Sequence, residues 1–200
     1  MGVFCQKVGW GRMYIEKTPK PYEGEKWGWD NGVFRDFKAG TPFNEAMFEK
    51  RLEKAYSAGV PYLAVVPDII SGGLDSLSFS LEWLKKIPSD WPWYLAVQDG
   101  MKIDDVEPII ERFAGLFLGG SNSFKATAWH WRELAHKHGK RFHYGRAGTE
   151  KKILHAKLVK ADSADSAFPL WTKERLKRTV KMLETEQLSL FEPQEIAVMP

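Results

Sequence analysis

The chain has 200 residues, 44% of them hydrophobic, a size that supports one well-packed core and argues against two full domains. Its 29 basic and 26 acidic residues leave a formal net charge of +3, which is too small to indicate nucleic-acid binding by itself. A single cysteine, Cys5, excludes an internal disulfide and a cysteine-based zinc site, and no apolar run approaches the roughly 18 residues of a membrane span, so we expect a cytoplasmic protein without a membrane partner.

Short apolar runs alternate with segments whose apolar residues recur at helical spacing. In chain order the pattern predicts a helix at 44–57, a strand at 60–67, a helix at 77–86, a strand at 93–98, a helix at 104–113, a strand at 116–119, a helix at 127–138, a strand at 142–145 and a helix at 149–160. Repeated β-α units of this kind predict a parallel sheet with right-handed crossovers, either closed as a barrel or open and doubly wound.

Polar residues or glycines follow nearly every strand-like run, namely Asp68, Gln98, Asp99, Gly119, Gly120 and Arg146. In a (β/α) barrel such strand ends meet at one mouth, where active sites lie, whereas an open sheet concentrates them at one switch point. We therefore predict an α/β fold, a compact or trimmed barrel of the TIM type, over residues 1–181. The alternation stops at residue 182, and we predict a flexible tail over residues 182–200.

Carboxylates collect at this proposed mouth. Asp30 lies in WDNGVF, Asp68 in VVPD, and both Asp162 and Asp165 in KADSADS, a segment almost without bulky apolar residues. A buried carboxylate without a partner is unfavourable, so several directed at one cavity indicate a functional site. Singly, each also fits a structural role, such as a helix cap at Asp68 or a turn at Asp30. Their order along the chain therefore carries more information than any one of them.

In that order, the segments from about residue 30 to residue 166 resemble the tRNA-guanine transglycosylase superfamily, whose (β/α) barrels exchange a guanine in nucleic acid for a 7-deazaguanine. WDNGVF is similar to the family segment that carries a general acid/base aspartate, which implies that role for Asp30. The resemblance implies that Asp68 and Gln98 bind the purine and that Gly119 and Gly120 present backbone groups to it.

The later motifs extend the same resemblance. FHYGRAGTEKKIL, residues 142–154, is similar to a family segment that implies Tyr144 and Gly145 lie against the pocket. KADSADS is similar to the strand whose last aspartate is the nucleophile, which implies this role for Asp165. Asp162, three residues earlier, is expected on the opposite side of an extended strand. Aromatic residues such as Trp29, Phe34 or Tyr144 are candidates to sandwich the flipped base.

The differences from the family indicate which nucleic acid is the substrate. The zinc motif and the subdomain that it holds are absent, and Arg146 and Ala147 replace small residues. The chain is therefore more similar to compact zinc-less relatives, often from phages, which insert 7-deazaguanines into DNA. We expect no metal or cofactor, and as partners DNA and a free 7-deazaguanine such as the 7-cyano form. Arg146, Lys151 and Lys152 are our candidates for phosphate contacts.

A second signal lies in the predicted tail. The pentapeptide Gln187-Leu188-Ser189-Leu190-Phe191 resembles the motif with which bacterial polymerases and repair proteins dock on the sliding clamp. The alternative is that Leu190 and Phe191 pack back onto the barrel. Docking would raise the local concentration of the protein at new DNA and favours DNA over tRNA as the substrate.

Three alternative functions remain open. One is guanine exchange in tRNA. Another is a clamp-recruited DNA-binding protein whose barrel lacks catalysis, and a third is a DNA glycosylase that hydrolyses the bond and leaves an abasic site. The sequence leaves the inserted base, the target sequence and the oligomeric state undefined.

Overall fold

The computed structural model describes residues 2–6, 9–15 and 18–185, and its strands form one ring. The strands are β1 Gly2–Gln6, β2 Gly9–Tyr14, β3 Gly28–Trp29, β4 Leu63–Val65, β5 Trp93–Val97, β6 Gly115–Leu118, β7 Arg141–Tyr144 and β8 Ser163–Ser166. Strands β2 to β8 are parallel and curve into a nearly closed barrel. Strand β1 is antiparallel to both β2 and β8 and joins the two ends. The predicted α/β barrel is confirmed at this level, and the sheet is consistent with a TIM-like barrel.

Helices connect the strands along the outside of this barrel. They are α1 Val33–Lys38, α2 Glu45–Tyr56, α3 Gly73–Trp83, α4 Ile103–Val106, α5 Asn122–Lys125, α6 Ala128–Lys137, α7 Glu150–Leu158 and α8 Lys173–Glu184, with 3-10 segments at Glu107–Arg112 and Phe168–Leu170. Side chains of Asn44, Ser121, Thr149 and Thr172 accept a hydrogen bond from the first turn of the helix that follows them. In the part of the chain that the structure describes, no helix has both the length and the apolar character needed to cross a membrane.

Several elements differ from the sequence prediction. Helix α3 covers Gly73–Trp83 instead of 77–86, and strand β4 covers only Leu63–Val65 of the expected 60–67. The helix expected at 104–113 is α4 followed by a 3-10 segment that contains Pro108 near its start, because proline has no N–H for the α-helical ladder. Helix α8 continues through Glu184, so residues 182–184, which the sequence assigns to the tail, belong to this helix.

Two packed layers follow from the alternation of side chains along each strand. Outward-facing residues, such as Trp29 and Trp93, pack under the helices in one large cluster that also contains Phe48 and Trp83. Inward-facing residues fill the interior of the barrel with a smaller cluster of Met13, Leu63, Val65, Tyr94, Ala96 and Phe117. Above this filling, the next inward positions fall at the carboxyl ends of the strands, where the polar residues lie.

Candidate active site

A cavity of ≈ 490 Å³ opens at the carboxyl ends of the parallel strands. Its lining includes eight residues that the sequence singles out, namely Asp30, Phe34, Asp68, Gln98, Asp99, Gly119, Gly120 and Arg146. Val65, Ala96 and Phe117, which belong to the inner core, also line it. The barrel filling therefore ends in an apolar surface, and polar groups stand above that surface, as in a site for a flat organic ligand.

Asp30 follows strand β3 and is fixed through its backbone and its side chain. Its N–H donates to the carbonyl of Tyr14 at 2.8 Å, and its Oδ1 accepts from the N–H of Gly32 at 2.7 Å. Burial raises the pKa of Asp30 to about 6, and the negative charge of Asp165 contributes in the same direction, against the hydrogen bond from Gly32. Asp30 can therefore exchange a proton near neutral pH.

Asp68 follows strand β4 and is held by Asn31. Asn31 belongs to the segment WDNGVF, where the sequence alone indicates only a turn. The Asn31 amide donates to Asp68 Oδ1 at 2.8 Å and to the carbonyl of Val66 at 2.8 Å. Burial raises the pKa of Asp68 to about 6 despite this hydrogen bond, and the charge of Asp30 adds to the rise. The two carboxyl groups of the cavity therefore influence each other's ionisation.

Asp165 lies on strand β8, its side chain is 16% exposed, and it is not among the residues that line the cavity, although it contacts Arg146, which is. Its Oδ1 accepts from the N–H of Arg146 at 2.7 Å and lies 3.1 Å from Nε2 of His143. Burial alone would raise the pKa of Asp165, but the hydrogen bond and charge of His143 and the N–H of Arg146 outweigh it and lower the pKa below its ordinary value. Asp165 is therefore held as a carboxylate.

His143 was not among the residues predicted from the sequence. It is fully buried on β7, its ring is stacked on Phe117 with centroids 4.8 Å apart, and its Nδ1 lies 2.8 Å from the hydroxyl of Ser163. An ionised carboxylate only accepts hydrogen bonds, so Nε2 carries the proton that faces Asp165. His143 thereby connects the two inward side chains of β8, Ser163 and Asp165.

Gln98 lines the cavity, but its amide is engaged by the loop that follows β4. Its Oε1 accepts from the N–H of Ser71 at 2.7 Å, and its Nε2 donates to Ser76 Oγ at 2.7 Å and to the carbonyl of Ile69 at 2.9 Å. Gln98 therefore shapes one wall of the cavity by holding this loop. Its expected contact with a purine would have to compete with these hydrogen bonds.

Tyr144 does not face the cavity, which corrects the sequence-based placement. Successive residues of a strand point to opposite sides, so Tyr144 and Gly145 cannot both face inward. Tyr144 is buried in the outer layer, where its hydroxyl lies 3.2 Å from Nδ1 of His155. Gly145 faces inward, and a Cβ there would lie 2.3 Å from the ring of Phe117. Trp29 is likewise buried in the outer layer, whereas Phe34 lines the cavity.

Arg146 lies across the mouth. Its guanidinium carbon is 3.7 Å from the centroid of the Phe34 ring, and one of its nitrogens is 3.4 Å from the carbonyl of Gly120. Its backbone is left-handed, with φ 51°, and this conformation accompanies the hydrogen bond from its N–H to Asp165. Lys151 and Lys152 are on the first turn of α7, with Lys151 exposed and Lys152 partly exposed.

Lys125, like Asn31 and His143, is a buried residue that was not predicted from the sequence. Its ammonium donates to the carbonyl of Leu118 at 3.2 Å and to that of Gly145, so it joins the ends of β6 and β7. Burial and the neighbouring charge of Arg146 lower the pKa of Lys125 to about 7. Lys125 therefore supports two strand ends that border the cavity.

Asp162 is separate from this group. Its Oδ2 lies 2.8 Å from Nε2 of His136 on α6 and accepts from the N–H of Phe142 at 2.8 Å. The two aspartates of KADSADS thus have different partners, and Asp165 is the one next to the cavity. Among the described residues no group of three or more His, Cys, Asp or Glu side chains could hold a metal ion, and the expectation of a metal-free protein stays a prediction.

Comparison with known proteins gives no assignment, since no protein-family model and no curated protein matches the chain. The residues of the clamp-like pentapeptide, Gln187, Leu188, Leu190 and Phe191, lie outside the described residues. The arguments for function therefore come from the cavity and its carboxylates.

Proposed function

We propose that the protein exchanges guanine in DNA for a free 7-deazaguanine, with Asp165 as nucleophile and Asp30 as general acid and base. The observation that carries this proposal is the opposite tuning of two neighbouring carboxyl groups, of which Asp30 lines the cavity and Asp165 lies next to it. Asp165 has its pKa lowered, and Asp30 has its pKa raised to about 6. Such a pair supplies a carboxylate and a carboxylic acid at the same pH, which is what cleavage of a glycosidic bond requires.

In the first step, a carboxylate oxygen of Asp165 attacks C1′ of the target nucleotide. Both hydrogen-bond donors act on Oδ1, so Oδ2 is the oxygen available for attack. The bond from C1′ to N9 breaks, its electron pair leaves with the guanine, and Asp30 donates a proton to that guanine. The product is an ester between Asp165 and C1′, which keeps the strand intact.

In the second step, the entering 7-deazaguanine replaces the released base. Asp30, now a carboxylate, accepts the proton from N9 of the entering base while N9 attacks C1′. The bond between C1′ and the Asp165 oxygen breaks, and its electron pair regenerates the carboxylate. The second step restores the proton on Asp30 and the carboxylate of Asp165 that the first step consumed. The exchange therefore needs no external energy source and no further proton carrier.

Asp68 suits recognition of the purine edge. As a carboxylate it accepts hydrogen bonds from the N1–H and the exocyclic amine that guanine and 7-deazaguanine share. The Asn31 amide already occupies Oδ1, and this orients the carboxyl group relative to the cavity. The apolar surface of Val65, Ala96 and Phe117 is available to one face of a planar base.

A base-release assay tests the proposal. Duplex DNA carrying labelled guanine is incubated with the protein and free 7-cyano-7-deazaguanine, and we expect labelled guanine to be released while the new base is incorporated without abasic sites. Asp165→Asn should abolish the exchange. Asp162→Asn is the matched control, because it makes the same change three residues away at a side chain that binds His136.

Other outcomes separate the alternatives. Retention of label by a wild-type protein that melts cooperatively would contradict the proposal, as would normal exchange by Asp165→Asn. Alkali-labile sites without incorporation would identify a glycosylase. Exchange in tRNA but not in DNA would support the base-exchange reaction and identify tRNA, instead of DNA, as the substrate.

A further inference from the structure

The segment that follows β8 begins at the mouth of the barrel. Strand β8 carries Asp165, and Trp171 lies five residues beyond its last residue. Strand β8 runs parallel to β7, so its carboxyl end faces the same side as the cavity. The hydroxyl of Ser166 donates to the carbonyl of Ala147 at 2.6 Å, which fixes this exit beside the loop of Arg146. The 3-10 segment Phe168–Leu170 and the start of α8 therefore lie at the same end of the barrel as the cavity, outside its lining, on a surface that we call the rim.

This rim exposes large apolar side chains. Trp171 is 61% exposed and Leu170 is 53% exposed, whereas six of the nine tryptophans are buried, namely Trp27, Trp29, Trp83, Trp91, Trp93 and Trp131. A large exposed apolar group is unfavourable in water, and next to a cavity it indicates a contact surface. The side chain of Trp171 is also oriented, because the guanidinium of Arg175 lies 4.8 Å from its ring centroid and 4.7 Å from that of Phe168.

Positive charge accompanies these aromatic groups. Residues 168–184 contain five basic and two acidic side chains, a surplus of three that equals the net charge of the whole chain. Lys173 and Arg178 are exposed, and Arg178 reaches Glu150 on α7 at 3.6 Å. The basic face of α8 is therefore next to the first turn of α7, which carries Lys151 and Lys152.

The charges of the cavity and of the rim are opposite. Asp30 and Asp68 line the cavity, and Asp165 lies behind Arg146 next to it. These carboxyl groups repel phosphate, so a nucleic acid needs cations immediately outside to hold its backbone there. Exposed aromatic rings interleaved with cations are the combination that binds bases together with phosphates. A purely apolar partner would not match the surplus of charge.

We infer that residues 170–175 form the contact surface for double-stranded DNA opened at the target nucleotide, with Trp171 stacking on a base beside the gap and Lys173 and Arg175 contacting phosphates. The inference rests on the proposed function, because that function brings a flipped nucleotide to Asp165. Extrusion of a nucleotide leaves unstacked neighbours, and an aromatic side chain on the rim restores part of the lost stacking.

Binding of fluorescein-labelled duplex and single-stranded DNA tests the inference, with Asp165→Asn as the background so that no exchange occurs. Trp171→Ala should weaken duplex binding at least about fivefold, the lower end expected for losing one stacking platform. At saturating protein it should also enlarge the fluorescence increase of 2-aminopurine placed next to the target guanine, because stacking quenches this base and the variant lacks the ring that restacks it. Trp10→Ala is the matched control, since Trp10 is 42% exposed near the start of β2, at the opposite end of the barrel.

A second variant tests the phosphate contact, and the possible outcomes separate failure of this inference from failure of the proposed function. Arg175→Gln should flatten the salt dependence of binding, because it removes one phosphate contact. If the wild-type protein binds DNA and both variants bind it equally well, the inference is wrong and the proposed exchange stands. If the wild-type protein binds no DNA, the proposed substrate is wrong as well. If truncation after Thr185 increases quenching of Trp171 by acrylamide without changing DNA affinity, the patch packs against residues 186–200 of the same chain and the inference is wrong.

Discussion

Replacing Asp30 by asparagine should stabilise the folded protein at alkaline pH, although it should abolish base exchange. The carboxyl group has a pKa of about 6 in the folded protein against an ordinary value of 3.8. A carboxyl group whose pKa is raised by folding destabilises the folded state above that pKa, where it must ionise in the protein interior. A difference of roughly two units at about 1.36 kcal/mol each sets the expected gain at up to about 3 kcal/mol at pH 8. The amide retains an oxygen that accepts from the N–H of Gly32.

The gain should become small at pH 4 and vanish below about pH 3, because the carboxyl group, whose ordinary pKa is 3.8, is then protonated in the unfolded state as well. Urea unfolding followed by tryptophan fluorescence at pH 8, pH 6 and pH 4 measures the free energy of unfolding of both proteins. Asp104→Asn, at an exposed position on α4, controls for the loss of one negative charge. A variant that is less stable than the wild type at pH 8, or equally stabilised at all three pH values, would refute the reasoning.

Two further predictions concern the support of the site. His143→Leu removes one of two hydrogen bonds to Asp165, so kcat/KM for exchange should fall about tenfold to 100-fold and its acidic limb should move to higher pH, whereas His143→Gln keeps a donor and should recover much of the activity. Equal activity of all three proteins across pH 4 to 8 would show that His143 does not act on Asp165. Gly145→Ala places a Cβ against Phe117 and should lower the free energy of unfolding by about 1–3 kcal/mol, with partial recovery in the double variant with Phe117→Leu. Urea unfolding checks this, and an unchanged midpoint would contradict the clash.

Most elements between residues 44 and 160 could be predicted because each one is locally encoded. A strand such as β5, buried along its whole length, reads as a short apolar run between turn residues. The first three strands carry no such signal, since β3 has two residues and β1 and β2 contain glycine and polar residues. Their place in the barrel depends on pairing with distant residues, as in the register of Phe4 with Asp165, and local patterns do not report such pairing.

The candidate site was predictable where a polar residue ends a strand, which is how Asp68 and Gln98 were found, whereas Asp30 was found through the resemblance of WDNGVF to a family segment. The error at Tyr144 came from assigning neighbouring residues to the same face, against the two-residue period of a strand. The same period, applied from Gly145 backwards, would have identified His143 as inward. Asn31 had no comparable signal, because its role depends on Asp68, 37 residues away.

Strand β8 shows how a carboxylate can be carried by a strand without bulky apolar residues. Its sequence, SADS, buries little apolar surface, so hydrogen bonds must hold it in place of packing. It pairs on one edge with β7 and on the other with β1, and its two inward side chains both bind His143. Each of these interactions restricts the position of Asp165 while leaving the space beside it unfilled. A strand held by packed side chains would fill that space, so the polar composition of β8 is what allows one carboxylate to be rigid and accessible together.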